Sequence, residues 1–199
     1  MVRDFGRKAR ITRDHNAFAV FRNAFGTATT HDAVALISNS HVAIGGATVD
    51  NLLTGDLSEV TLNTAIIQLF ELADPAGVVD GSVAKTLLVA PTDFKLAMEI
   101  TGSELRSATP DNDMNIYNST YGIRVFTSPR IGAATTGGDN DAWFLLGDNH
   151  SIYRFVRQGV QTELVDWKFQ RNNNYIYKGE FRENVGAMSW EGIVGSSGA

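Results

Sequence analysis

The sequence predicts an α+β fold with its helices early and its strands late. Apolar residues recur at helical spacing over 3–25 and 56–72, and a short wholly apolar run at 86–90 fits a buried strand. Strand-like segments with closely set aromatics then fill the last sixty residues. This segregation favours helices packed beside a sheet over alternating βαβ units.

The first element is an amphipathic helix. Residues 3–25 contain no proline, and Phe18, Phe21 and Phe25 recur at i, i+3 and i+7 until Gly26 ends the pattern. Its charged first half suggests that only the later turns enter this chain's own core. From Gly26 to Gly55 the composition turns to Thr, His, Ser, Gly and Asn, predicting a loop with a short strand at 33–37. Such a long connection is usually functional or held by a neighbour. A second helix starts at Asp56-Leu57-Ser58-Glu59, with Asp56 expected as cap and Glu59 reaching back; Leu62, Ile66, Leu69 and Leu72 form its apolar stripe.

After the turn 74–77, the strand 86–90 (TLLVA) is apolar on both faces and is stopped by Pro91. Thr92 or Asp93 is expected to cap a third helix with Phe94, Ala97 and Met98 inward and Gly102 at its end. Strands follow at 123–127 and 142–146, divided by the Gly/Thr/Asp-rich 132–141, which reads as a flexible surface loop. The late strands are expected at 151–157, 162–169, 175–182 and 187–193, with a turn at 171–174.

Composition bounds the possible functions. At 199 residues, 43% hydrophobic and 20% charged, the chain is long enough for a sizeable core and too apolar for disorder. It has no cysteine, which excludes disulfides, thiolate metal sites and cysteine nucleophiles. No apolar run approaches the roughly 18 residues of a membrane span, and MVRDFGRKAR is charged where a signal peptide is apolar, so a cytoplasmic protein with no membrane partner is expected. Charge is uneven: Arg3, Arg7, Lys8, Arg10, Arg13 and Arg22 face only Asp4 and Asp14 in the first 25 residues. That segment is +4, so with −5 overall the remainder carries −9. Such a face either stays solvated or meets nucleic acid or an acidic neighbour.

Catalytic and metal motifs fail on inspection. Asp111-Asn112-Asp113-Met114-Asn115 offers calcium-loop oxygens, but Ile116 and Gly122 stand where glycine and glutamate are needed. His15, His31, His41 and His150 match no ligand spacing and read as surface or satisfied core residues. There is no GxSxG elbow or P-loop, and Asp139 and Asp141 sit in a glycine-rich loop that would not fix their separation. Trp143, Trp167, Tyr175, Tyr177, Phe181 and Trp190 have few basic neighbours, so they read as core or interface and not as a nucleic-acid stacking platform.

The ordered segments FRNAF, DNLLTG, LNTAIIQLFELAD, KTLLVAP, GSELR, DNDMNIY, GIRVFTSPRI, AWFLLGD and the terminal aromatic strands resemble tailed-bacteriophage major capsid proteins of the Hong Kong 97 fold, in the Mu-like head subunit branch. The resemblance covers about residues 15–198. It implies a long spine helix at 4–25, a peripheral-domain antiparallel sheet and an axial α/β domain. The chain then divides into 1–75, mainly peripheral; 76–160, axial; and 161–199, returning to the peripheral domain. The resemblance implies an N-terminal arm and extended loop ahead of the spine helix, and this sequence is expected to lack both. The implied function is structural and non-enzymatic, with no cofactor, catalytic residue or metal. Copies assemble as pentamers and hexamers into an icosahedral head, with scaffolding, portal or decoration proteins as further partners. Packaged double-stranded DNA of a phage or prophage is held non-specifically, and the virion is built in the bacterial host's cytoplasm. Arg3, Arg7, Arg10 and Arg13 are expected to face that DNA or an adjacent subunit. The alternatives are a bacterial nanocompartment shell, or a small metal- or sugar-binding enzyme or module using loops 108–115 and 133–141.

Overall fold

A computed structural model of the chain describes residues 2–105, 114–165 and 176–198. Its centre is a five-stranded mixed sheet of β3 (Leu52–Leu53), β4 (Ala84–Val89), β5 (Arg124–Thr127), β6 (Trp143–Gly147) and β9 (Ile193–Ser196), in the order β3-β9-β6-β4-β5. β4 pairs in parallel with β5 and antiparallel with β6, while β9 runs antiparallel to β6 and parallel to β3. The sheet therefore collects strands from along the chain, where the sequence suggested strands segregated at the end.

Both faces of this sheet are covered, which explains the unbroken apolar runs in β4 and β6. Leu87, Val89, Trp143, Leu145 and Val194 point to one side, where they pack with Leu62, Ile66 and Leu69 of α2 (Glu59–Glu71) and Ala97 of α3 (Phe94–Gly102). Leu88, Ala90, Phe144, Leu146 and Ile193 point to the other, against Val20, Phe21 and Ala24 at the end of α1 (Val2–Arg22) and Leu36 and Ile37 of the following loop. Gly195 makes that second layer possible: a side-chain carbon there would lie 2.9 Å from Ile37 Cγ1 and 3.0 Å from Phe144 Cδ1.

Five local expectations are corrected. The strand expected at 33–37 is a turn, with one bridge between Thr29 and Ala35 and a positive φ of 64° at Ala33. Asp32 causes it, because its Oδ1 accepts from Thr30 Oγ1 and from the Val34 amide. The cap of α2 is Ser58, not Asp56: Ser58 Oγ accepts from the Thr61 amide, and Thr61 Oγ1 accepts from the Ser58 amide. Leu57 and Leu62, both buried in one cluster, form a staple across that first turn and fix where it starts.

In α3 only Ala97 and Thr101 are buried, while Phe94 and Met98 are 40% and 44% exposed, so neither points inward. The small pair lets the helix sit close to the sheet, and the large side chains fall on its flanks.

The two strands expected over 151–169 are, over the described residues, one, β7 (Ile152–Val165), paired antiparallel with β8 (Ile176–Ala187) and with no third strand among the described residues. Residues expected as strand between Ala187 and Ile193 turn instead, and Trp190 is fully buried in that turn. A small hairpin of β1 (His41–Val42) and β2 (Thr48–Val49) lies beside it. The expected turn 171–174, Trp167 and Tyr175 lie outside the described residues, as does most of the 111–115 string.

Candidate assembly surfaces

α1 lies against β8 through a few specific contacts. Phe5 sits over Gly179, where any side chain would overlap its ring. Eight residues later Arg13 Nε donates to both carboxylate oxygens of Glu183, at 2.9 and 3.0 Å, and Arg154 of β7 approaches the same carboxylate at 3.3 Å. The Glu183 side chain is only 5% exposed. The Arg13 hydrogen bond holds this carboxyl below the usual carboxylate range, against the opposing effect of burial.

Of the four arginines the sequence singles out, Arg13 is thus engaged inside the chain. Arg7 and Arg10 are exposed, Arg10 making only a loose 3.8 Å pair with Asp14, and Lys8 is exposed beside them. Arg3 lies on the same helix and within the same third of its circumference, though its side chain is outside the described residues. α1 therefore splits into a stripe bound to β8 and a cationic stripe facing away.

A second arrangement was hidden from the sequence. His41 is fully buried, with Nδ1 2.8 Å from Asp32 Oδ2 and Nε2 3.3 Å from the Leu36 carbonyl. Both His41 and His31 stack on Trp190, at ring separations of 4.7 and 5.1 Å, and the Trp190 indole N–H donates to Ala73 O. Burial works to raise the Asp32 pKa, but hydrogen bonds from Thr30, His41 and the Val34 amide outweigh it and lower the value to about 2. The cluster pins loop 27–55 to the segment leaving β8. The satisfied-core reading holds for His41.

Of the loops offered by the metal- or sugar-binding alternative, 108–113 lies outside the described residues. Among the described residues no group of three or more His, Asp or Glu side chains is placed to hold a metal ion. Loop 132–141 is hydrogen-bonded to itself: Asp139 N donates to Ile131 O, Ala133 N to Asn140 Oδ1 and Asp141 N to Asp139 Oδ1. An open groove of about 430 Å³ between β2–β3 and α2 is lined by Leu52, Thr64, Ile67 and Gln68, a mixture without convergent chemistry.

Apolar exposure is the more telling surface property. Ile44, Val60, Val78, Met114 and Val79 are 80%, 75%, 62%, 65% and 59% exposed, and Phe94, Leu96 and Met98 lie open along α3. So much large apolar surface suits a chain whose neighbours cover it. Residues 1–196 match the family model described as phage capsid protein. The chain belongs to that family. As a phage capsid protein it is a structural subunit of the virion, in a family of a non-enzymatic kind, and no described helix is long and apolar enough to cross a membrane. A solved chain from Mycobacterium phage Ogopogo is similar at 13% identity, with 97% of this chain and 71% of that one covered and a TM-score of 0.44. No curated protein matches the capsid chain.

Proposed function

We propose that this capsid protein is the major head subunit of a Hong Kong 97-type shell, assembling through copies of itself into pentamers and hexamers that close an icosahedral head around double-stranded DNA. The observation that carries the reading is the family match over nearly the whole chain. In this reading α1 is the spine helix and the β7–β8 pair the peripheral sheet. The central sheet with α2 and α3 forms much of the axial domain, with boundaries near 75 and 160. Shell subunits bury several interfaces, each of roughly 1,000 Å² or more when specific, which accounts for apolar side chains left open on one copy. Heterologous contacts whose rotations close produce the rings.

The outward stripe of α1, with Arg3, Arg7 and Arg10, faces packaged DNA or the acidic surface of the next subunit; Arg13 holds the helix on β8 so that the stripe keeps its direction. Assembly takes place in the bacterial host's cytoplasm, with scaffolding, portal or decoration proteins as further partners.

Negative-stain microscopy of the purified chain tests the reading. Shells, rings, sheets or isolated pentamers and hexamers are expected. A strictly monomeric protein whose thermal stability rises with calcium or a sugar would refute it.

A further inference from the structure

Among the described residues β7 is hydrogen-bonded along one side only, by β8. Its other edge is open over fourteen residues, and Tyr153, Phe155, Val156, Val160 and Leu164 along it are each 40–52% exposed. An isolated two-stranded pair of this length is marginal by itself. Unprotected apolar edges are templates for another strand, and proteins that must avoid this place charges on them. β8 does so: Lys178 and Arg182 each lie 3.0 Å from Glu180 in an ionic ladder. β7 has no charged residue between Arg157 and Glu163.

The charges that β7 does carry are self-complementary. In an antiparallel pairing of two copies centred on Val160, Arg157 falls opposite Glu163. Val156 then meets Leu164, Gln158 meets Thr162, and no like charges oppose. The register shifts in the β7–β8 ladder fall between Val156 and Gln161, so β7 twists most at the middle of this pairing and the arms on either side carry it.

We propose that two copies of this chain join edge to edge along β7, antiparallel about Val160, making one four-stranded sheet across a twofold axis. The inference rests on the shell reading for its partner and names one isologous contact within that shell. Adding strands at an open edge supplies main-chain hydrogen bonds, while alternate side chains set the register.

The absence of native cysteine makes the test direct. Val156→Cys and Leu164→Cys, made separately, place one thiol each on exposed positions. Opposed residues in an antiparallel pair have Cα atoms about 4.5–5.5 Å apart, within disulfide range. The mixed proteins should therefore give a disulfide-linked dimer on mild oxidation, and neither variant alone should. No more dimer from the mixture than from the single variants overturns the proposal. Glu163→Arg sets arginine against arginine twice per dimer and should weaken association roughly tenfold. Adding Arg157→Glu should restore it, and failure to restore also overturns the proposal. Microscopy of the same samples separates the two readings: shells without the mixed disulfide refute the β7 contact alone, whereas the disulfide in protein that forms no particle refutes the shell reading.

Discussion

Arg13 and Glu183, 170 positions apart, are joined by one guanidinium N–H, at Nε, shared between both oxygens of one carboxylate. The contact sets the rotation of α1 about its axis, because Gly179, four residues earlier on β8, is covered by Phe5 of the same helix.

Glu183→Gln should loosen this docking. It removes the charge that Arg13 and Arg154 share and leaves two cations facing each other. Hydrogen exchange over the first half of α1 should become faster, while exchange in β4 and β6 stays unchanged. Because the Glu183 carboxyl is held below its ordinary range, its contribution is complete above the unfolded carboxylate pKa. It is lost as pH falls through the lower folded value, so exchange in wild-type α1 should approach that of the variant in acid.

The Asp32 carboxylate behaves in the same direction with a stated window. Its pKa falls from 3.8 to about 2 on folding, so its stabilisation is present above pH ~4 and disappears as pH drops through about 2. With a side chain 12% exposed, Asp32→Asn should cost about 1–2 kcal/mol near neutral pH. Urea denaturation at pH 7 and at pH 3 checks this. An equal gap between wild type and variant at both values would contradict the assignment.

Most of the central fold was legible because its signals are local. TLLVA reads as a strand buried on both faces, AWFLL as a strand, and Leu62, Ile66 and Leu69 as an apolar helix stripe; all three lie in the core. What escaped depends on contacts distant in sequence. Nothing near Asp32 announces that His41 and Trp190 close over it, and a lone histidine gives no sign of whether it is buried. The long β7–β8 pairing was split because its register shifts break the alternation that marks a strand. In α3 the expectation failed because Ala97 and Thr101, not the larger residues, make the close approach. The excess of positive charge on α1 is legible in composition, but the diversion of Arg13 to Glu183 needed β8 in place.

The cap of α2 gives a clean local test. Ser58 satisfies the Thr61 amide, and Thr61 Oγ1 also donates to the Asp56 carbonyl at 2.8 Å, so two hydroxyls bind the first turn. Ser58→Ala should cost about 1 kcal/mol in thermal or urea unfolding, and Ser58→Asp should recover most of it, since an aspartate side chain accepts the same bond. Loss of stability in both variants alike would show that the hydroxyl does not act as a cap.

The outward face of α1 links the fold to the shell. Arg7 and Arg10 are exposed and are not needed for docking the helix on β8, so Arg7→Glu/Arg10→Glu should leave the melting temperature of the isolated chain nearly unchanged. In assembled particles the substitution should act strongly, because each is repeated in every copy. If the stripe faces DNA, shells still form but retain less of it, with retention falling further as salt is raised, since phosphate contacts weaken steeply with ionic strength. If it faces an acidic neighbour, particle yield itself falls. Unchanged assembly and unchanged DNA retention together would remove the stripe from the shell's interfaces. A lowered melting temperature in the isolated chain would instead place Arg7 or Arg10 among the residues that hold the subunit together.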